Sequence, residues 1–237
     1  MFTVVEEISL TGLAFSLLPA LIVVVIMVKW TAGAGTALYA LGRMLLQLAL
    51  IGYVLVYIFK AENAAIIVGV LSVMLVIASW IAIRPVAKKH AHVFRDALIS
   101  ISLAGVLVLA LVTQVVIAVE PWFNPQYVVP LAGMVFAGAM NSVSLAAERL
   151  GAELSRDVGI RQARRIALSA ALIPITNSLL AVGLVSLPGM MTGQILSGVS
   201  PLIAAKYQIV VMAMFFGVSG ISAATYLTLR PHSTARA

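Results

Sequence analysis

The chain has 237 residues, of which 62% are hydrophobic and only 10% charged, with a mean hydropathy of +1.13. A soluble domain carries about a quarter charged residues, so this composition indicates an integral membrane protein and leaves no room for a sizeable soluble domain. There are no cysteines, which excludes disulfides, thiolate metal sites and cysteine nucleophiles, and the net charge of +7 lies in short loops beside apolar runs, where it marks orientation rather than nucleic-acid binding.

Residues 1–10 carry Glu6 and Glu7 and no basic residue, the wrong start for a cleavable signal peptide, so the first span is expected to be retained despite Ala32-Gly-Ala34. Seven apolar segments follow, at about 9–28, 36–59, 63–83, 97–119, 129–147, 164–186 and 202–229. Pro19 and Pro174 fall inside the first and sixth and predict kinks. At the second of these, Thr176, Asn177 and Ser178 could contact the carbonyl of Ala170 that Pro174 frees. With the N-terminus outside, twelve of the fifteen Lys and Arg residues fall on the inner side, so the expected topology is N-out and C-in. Trp30, Trp80 and Trp122 fall near the predicted interfaces. The substantial inner segment is 148–165, a dense mixture of Arg, Glu and Asp that could form a helix of a few turns.

Between the sixth and seventh segments, the run 182–198 is apolar yet holds Pro188-Gly189, Gly193 and Gly198. Such residues break helices, and non-helical backbone at membrane depth survives only when buried in protein or lining a watery cavity. The helix is predicted to restart at Ser200-Pro201, a hydroxyl N-cap followed by Pro at the first helical position.

Several polar residues are candidates for chemistry. Arg43 and Gln47 share one face of the second span, with Tyr53 and Tyr57 further along. They read either as a polar stripe on a translocation path or as a snorkelling arginine and a helix-to-helix hydrogen bond. Asn141, Ser142 and Ser144, and Thr176 and Asn177, could line the same path or join helices. Met190 and Met191 offer thioether sulfur but suit packing better, since iron(II) prefers nitrogen and oxygen ligands. The 188–193 backbone is the better candidate there, as exposed carbonyls or as a gate. His90 and His92 have the spacing of an extended strand and, beside Lys88 and Lys89, read as a solvated basic loop. No Asp or Glu is placed well inside a span, which disfavours a proton-driven carrier. No Gly-x-x-x-x-Gly-Lys-Ser/Thr loop is present, so energy for active transport would enter from another polypeptide.

Three blocks carry a family resemblance. They are 182–194 with Pro201 and Lys206-Tyr207-Gln208-Ile209; Gly42-Arg43, Gln47-Leu48 and Gly52-Tyr53-Val54-Leu55; and Pro130-Leu-Ala-Gly-Met134 running to Asn141. On these the chain resembles the FetB-type permeases, the membrane subunits of an iron-export ABC transporter, to which plant aluminium-tolerance permeases are related. The resemblance implies a homodimer in the bacterial cytoplasmic (inner) membrane, working with a separate ABC ATPase subunit and needing no cofactor. The candidate path or gate residues are Arg43, Gln47, Tyr53, Asn141, Asn177, Pro188, Gly189, Met190, Met191, Thr192, Gly193, Gln194 and Gln208. The family's ATPase-docking element reads Leu-Gly-Ala-Ser/Thr, whereas this chain has Leu150-Gly-Ala-Glu153. Either 148–165 serves as a compact coupling element, at Glu148, Arg149, Leu150, Gly151, Glu153, Asp157 and Arg161, or the chain couples weakly or not at all. The overall expectation is an all-α permease of one domain over 1–237, with no enzyme activity of its own and no metal site that the sequence can name; an uncoupled scaffold or an ATP-independent channel is the alternative.

Overall fold

In lipid every backbone N–H and C=O must find an internal partner, so apolar runs of this length have only helices or closed barrels open to them. The computed structural model describes residues 8–86 and 91–230, and these form helices. In order they are α1 (Leu10–Ser16), α2 (Leu18–Lys29), α3 (Ala34–Phe59), α4 (Ala64–Ala82), α5 (Ala91–Ala110), α6 (Pro125–Leu154), α7 (Ile160–Ala181), α8 (Gly189–Leu196) and α9 (Pro201–Leu229). A π-helical turn, Leu111–Val116, continues α5. Among the described residues there is no strand, only an isolated bridge between Val182 and Ser186. Six helical runs are long and apolar enough to cross a membrane: Leu10–Lys29, α3, α4, Ala91–Val116, α6 and α9. α7, at 22 residues, is also long enough, but Arg161, Arg164 and Arg165 in its first turns make it less apolar.

The chain divides into two compact units, Met1–Lys60 and Ala61–Ala237. In the first, Pro19 sits in the first turn of α2 and separates it from α1, and α2 packs on α3 across a turn at 30–33. Glu6 and Glu7 lie outside the described residues, as do Lys88, Lys89, His90, His232 and Arg236.

In the second unit α6 is the central element and packs against α4, α5, α7 and α9. Its buried positions Val128, Ala132, Val135, Ala139, Val143, Ala146 and Leu150 recur every three or four residues, which makes one continuous core face. Small residues let the helices approach. On α7, Ala163, Ala167 and Ala171 form a ridge that packs with Ala146 and Leu150 of α6 and Ala223 and Leu227 of α9. Gly138 lies against Phe215 so closely that an added Cβ would stand 2.9 Å from its Cδ1. Buried hydroxyls close on their own helix: Ser79 donates to the Leu75 carbonyl at 2.8 Å, Ser100 to Asp96 at 2.6 Å and Thr113 to Leu109 at 2.8 Å.

The boundaries differ from the sequence expectation in instructive ways. α6 begins at Pro125 and runs 30 residues, about 45 Å, which is roughly 15 Å longer than a hydrocarbon core. The segment 148–165 is therefore not a free-standing helix. It is the end of α6, a turn, and the start of α7. α5 is described from Ala91, so His92 lies in a helix and not in a solvated loop, and Asp96 is a buried residue of that helix, 3% exposed. α7 stays helical through Pro174, and the Ser178 hydroxyl donates to the Pro174 carbonyl at 3.0 Å, not to Ala170.

Candidate functional site

The helix breaks between α7 and α9 as expected, but 189–196, which includes Gly189 and Gly193, is a short helix and not exposed backbone, because a helix closes its own hydrogen bonds. α7 stops at Ala181, and the amides of Val185 and Ser186 both turn back onto its carbonyl, at 2.8 and 3.1 Å. Gly183, at φ +82, reverses the chain. Pro188 caps α8, which ends where Gly198 takes φ +90, and α9 begins at Pro201 as expected, although the Ser200 side chain makes no capping bond. Non-helical backbone is thus confined to 182–188 and 197–200. The carbonyls at the ends of the 188–193 stretch are occupied. Pro188 O accepts from Thr192 N at 3.0 Å and Thr192 Oγ1 at 3.1 Å, and Gly193 O accepts from Ser197 N at 3.0 Å and Oγ at 2.8 Å.

α8 carries Gly189, Met190, Met191, Thr192, Gly193 and Gln194 together, with both methionines half-buried and both glycines exposed. Gln194 Oε1 is buried without a hydrogen-bond partner, and so is Oε1 of Gln208 on α9, a residue 5% exposed. A buried amide oxygen costs about 1–3 kcal/mol unless water or a ligand meets it, so these two are acceptors able to take such a partner. Asn141 on α6 and Asn177 on α7 are exposed.

In the first unit, Gln47 accepts from Arg43 Nε at 3.1 Å and NH2 at 3.2 Å when its amide oxygen is turned to the guanidinium. Arg43 lies about 14 Å along α3, deeper than a headgroup anchor at the helix end. Tyr53 and Tyr57 are 74% and 78% exposed.

The coupling candidates separate into two sets. Leu150 is 4% exposed and belongs to the core cluster. Glu153 is 5% exposed and paired, with Arg149 NH2 2.7 Å and Arg156 NH1 4.0 Å from its Oε1. Neither presents itself to a partner. Glu148, Gly151, Asp157 and Arg161 are exposed around the α6–α7 turn, where Asp157 takes φ +59.

Among the described residues of the second unit, two cavities bear on where a site could lie. One, about 460 Å³, is apolar, is lined by Val68, Leu71, Leu109 and Phe136 among others, and ends at Thr113, Gln114 and Trp122 beside the π-turn. It touches none of the expected site residues. The other, about 560 Å³, lies between α6 and α7 and is lined by Arg149, Gln162, Arg165 and Ser169 with Ile166, Ala170 and Ile173. Apart from Arg149, these residues were not singled out in the sequence, although 162, 165, 169 and 173 have the spacing of one helical face. That face continues to Thr176, Asn177 and Leu180, all exposed, while the Ala163-Ala167-Ala171 ridge on the other side is buried. Among the described residues no three His, Cys, Asp or Glu side chains gather as a metal cluster.

The family described as "Uncharacterised protein family (UPF0014)" matches residues 10–159 and 155–233, nearly the whole chain. The chain belongs to the UPF0014 family. Relatives include the UPF0014 membrane protein slr1647 of Synechocystis sp., 36% identical over 203 residues covering 79% of this chain and 78% of the relative. The "Probable iron export permease protein FetB" of Escherichia coli is 35% identical over 216 residues, covering 84% and 82%. The rice UPF0014 membrane protein STAR2 is 37% identical over 214 residues, covering 81% and 72%. No solved structure matches the chain. As a UPF0014 protein with six membrane-length helices, it is a multi-pass membrane protein.

Proposed function

We propose that the chain is the permease subunit of an ABC transporter that exports metal, iron foremost, using ATP hydrolysed by a separate subunit. The observation that carries this reading is the 35% identity, over 82% of its length, to the Escherichia coli relative named as an iron export permease. In this reading the chain acts as one permease domain and as a homodimer in the bacterial cytoplasmic membrane, with α7 as a seventh span, the N-terminus outside and the C-terminus inside. α7 supports it physically. A helix of membrane length whose exposed face carries Gln162, Arg165, Ser169, Thr176 and Asn177 cannot lie against lipid cheaply, so that face belongs on a watery path or a protein interface. The path would also take in Asn141 and the α8 group with Gln208, while Glu148, Asp157 and Arg161 would meet the ATPase. A channel filtering through bare 188–193 carbonyls is less well supported, because the Pro188 and Gly193 oxygens already accept hydrogen bonds. Affinity purification from native membranes with mass spectrometry is the test. A P-loop ATPase co-purifying in stoichiometric amount is expected; its consistent absence would favour an uncoupled scaffold.

A further inference from the structure

The cavity between α6 and α7 has a definite charge. Its polar lining is two guanidiniums, one amide and one hydroxyl, from Arg149, Arg165, Gln162 and Ser169, with no acidic side chain. Arg149 commits NH2 to Glu153, yet its Nε is buried with no hydrogen-bond partner. Arg165 is exposed and has no ion pair among the described residues. The site therefore holds surplus N–H donors and surplus positive charge. Arginine forks match the planar or tetrahedral oxygens of carboxylate and phosphate. The rest of the lining, Ile166, Ala170 and Ile173 on the same helix, is apolar and offers the arginines no competing acceptor. A bare metal cation would meet the unpaired Arg165 here, with Glu153 already taken by Arg149. From Gln162 to Ile173 the cavity spans about 16 Å of α7, one turn short of Thr176 and Asn177.

We propose that this cavity binds the anionic oxygen group, carboxylate or phosphate, of a water-soluble solute. Resting on the permease reading above, it is the mouth through which a negatively charged cargo reaches the polar face of α7, so that a metal would travel as an anionic chelate and not as a bare ion. The same chemistry is offered by a lipid headgroup, and the test separates the two.

The full chain in neutral-lipid nanodiscs is titrated with inorganic phosphate and with citrate, each followed by calorimetry, and the titration is repeated with Arg165→Gln, Arg165→Lys and Arg161→Gln. Saturable binding of at least one anion is expected, about tenfold or more weaker in Arg165→Gln. It should be partly restored in Arg165→Lys and unchanged in Arg161→Gln, whose residue is exposed on the same helix but does not line the cavity. Ser169→Asp, which sets a negative charge one turn from Arg165 and neutralises the cavity while keeping the arginine, should abolish binding and serves if Arg165→Gln does not fold. Absence of saturable binding, or equal loss in Arg161→Gln and Arg165→Gln, overturns the site. Binding of phosphatidylglycerol but of neither soluble anion makes it a headgroup site and overturns the solute assignment. Because the assay contains no ATPase and no flux, a failed permease reading with intact binding leaves the anion site standing.

Discussion

Arg149 and Glu153 stand one turn apart near the end of α6, with 2.7 Å between the guanidinium NH2 and the carboxylate Oε1. The carboxylate side chain is 6% exposed and the guanidinium side chain 41%, so the pair is anchored on its acidic side. The acids around the α6–α7 turn are consequently unequal. Glu153→Lys should lower stability by about 2–3 kcal/mol, because it buries a like charge against two arginines. Glu148→Lys should stay within about 0.5 kcal/mol of the parent and Asp157→Asn, which keeps a residue suited to φ +59, likewise. Thermal unfolding in detergent reads all three. If the turn docks the ATPase, the exposed pair changed together should weaken ATPase binding while the fold survives. Unchanged binding at low and moderate salt would remove the turn as the coupling site.

Glycines that pack should differ from glycines that do not. A Cβ at Gly105 would lie 2.8 Å from Phe136, and one at Gly138 would lie 2.9 Å from Phe215. Alanine at either is expected to cost about 1–3 kcal/mol by overpacking. At Gly189 and Gly193 nothing lies within 4 Å of an added Cβ. Leucine there should leave insertion and melting temperature nearly unchanged and abolish transport, if α8 faces the path. Retained transport in a folded double variant would place the path elsewhere.

The topology of α7 can be read directly, because the chain has no cysteine of its own. Single cysteines at Val185 and Glu120 should react with an impermeant thiol reagent added outside, and a single cysteine at Arg161 should not. Val185 and Arg161 are both exposed at opposite ends of α7. Labelling of both from the same side would mean that α7 does not cross.

Arg43 and Gln47 make a separate test in the first unit. Arg43→Leu and Gln47→Leu should each reduce transport, and the double variant should lose little more than the worse single one, since the two side chains share one contact. Strictly additive losses would mean that the two act independently.

Much of the fold is legible in the sequence because lipid enforces it. Pro188, Gly198 and Ser200-Pro201 all mark real ends, whereas Gly193 lies inside α8, since a chain without water must either continue its helix or end it at a residue suited to doing so. The end of α6 was not legible. By composition Glu148, Arg149 and Glu153 read as a separate solvated helix, yet Ala146, Leu150 and Glu153 recur at helical spacing on α6 and are buried. Asp96 lies just outside the apolar run at 97–119, beside Arg95, and is buried because α5 includes it and packs on α4, α6 and α9. The cavity face of α7 was present as spacing at 162, 165, 169 and 173, but three neighbouring arginines made it read as an orientation signal.

The most direct measurement of the central claim is ATP hydrolysis by the partner ATPase in proteoliposomes with and without this chain, taken together with metal efflux. Hydrolysis stimulated several-fold by the chain, and efflux that requires ATP, is the expected result. Efflux that proceeds equally without ATP, or hydrolysis indifferent to the chain while the two proteins remain bound, would contradict it.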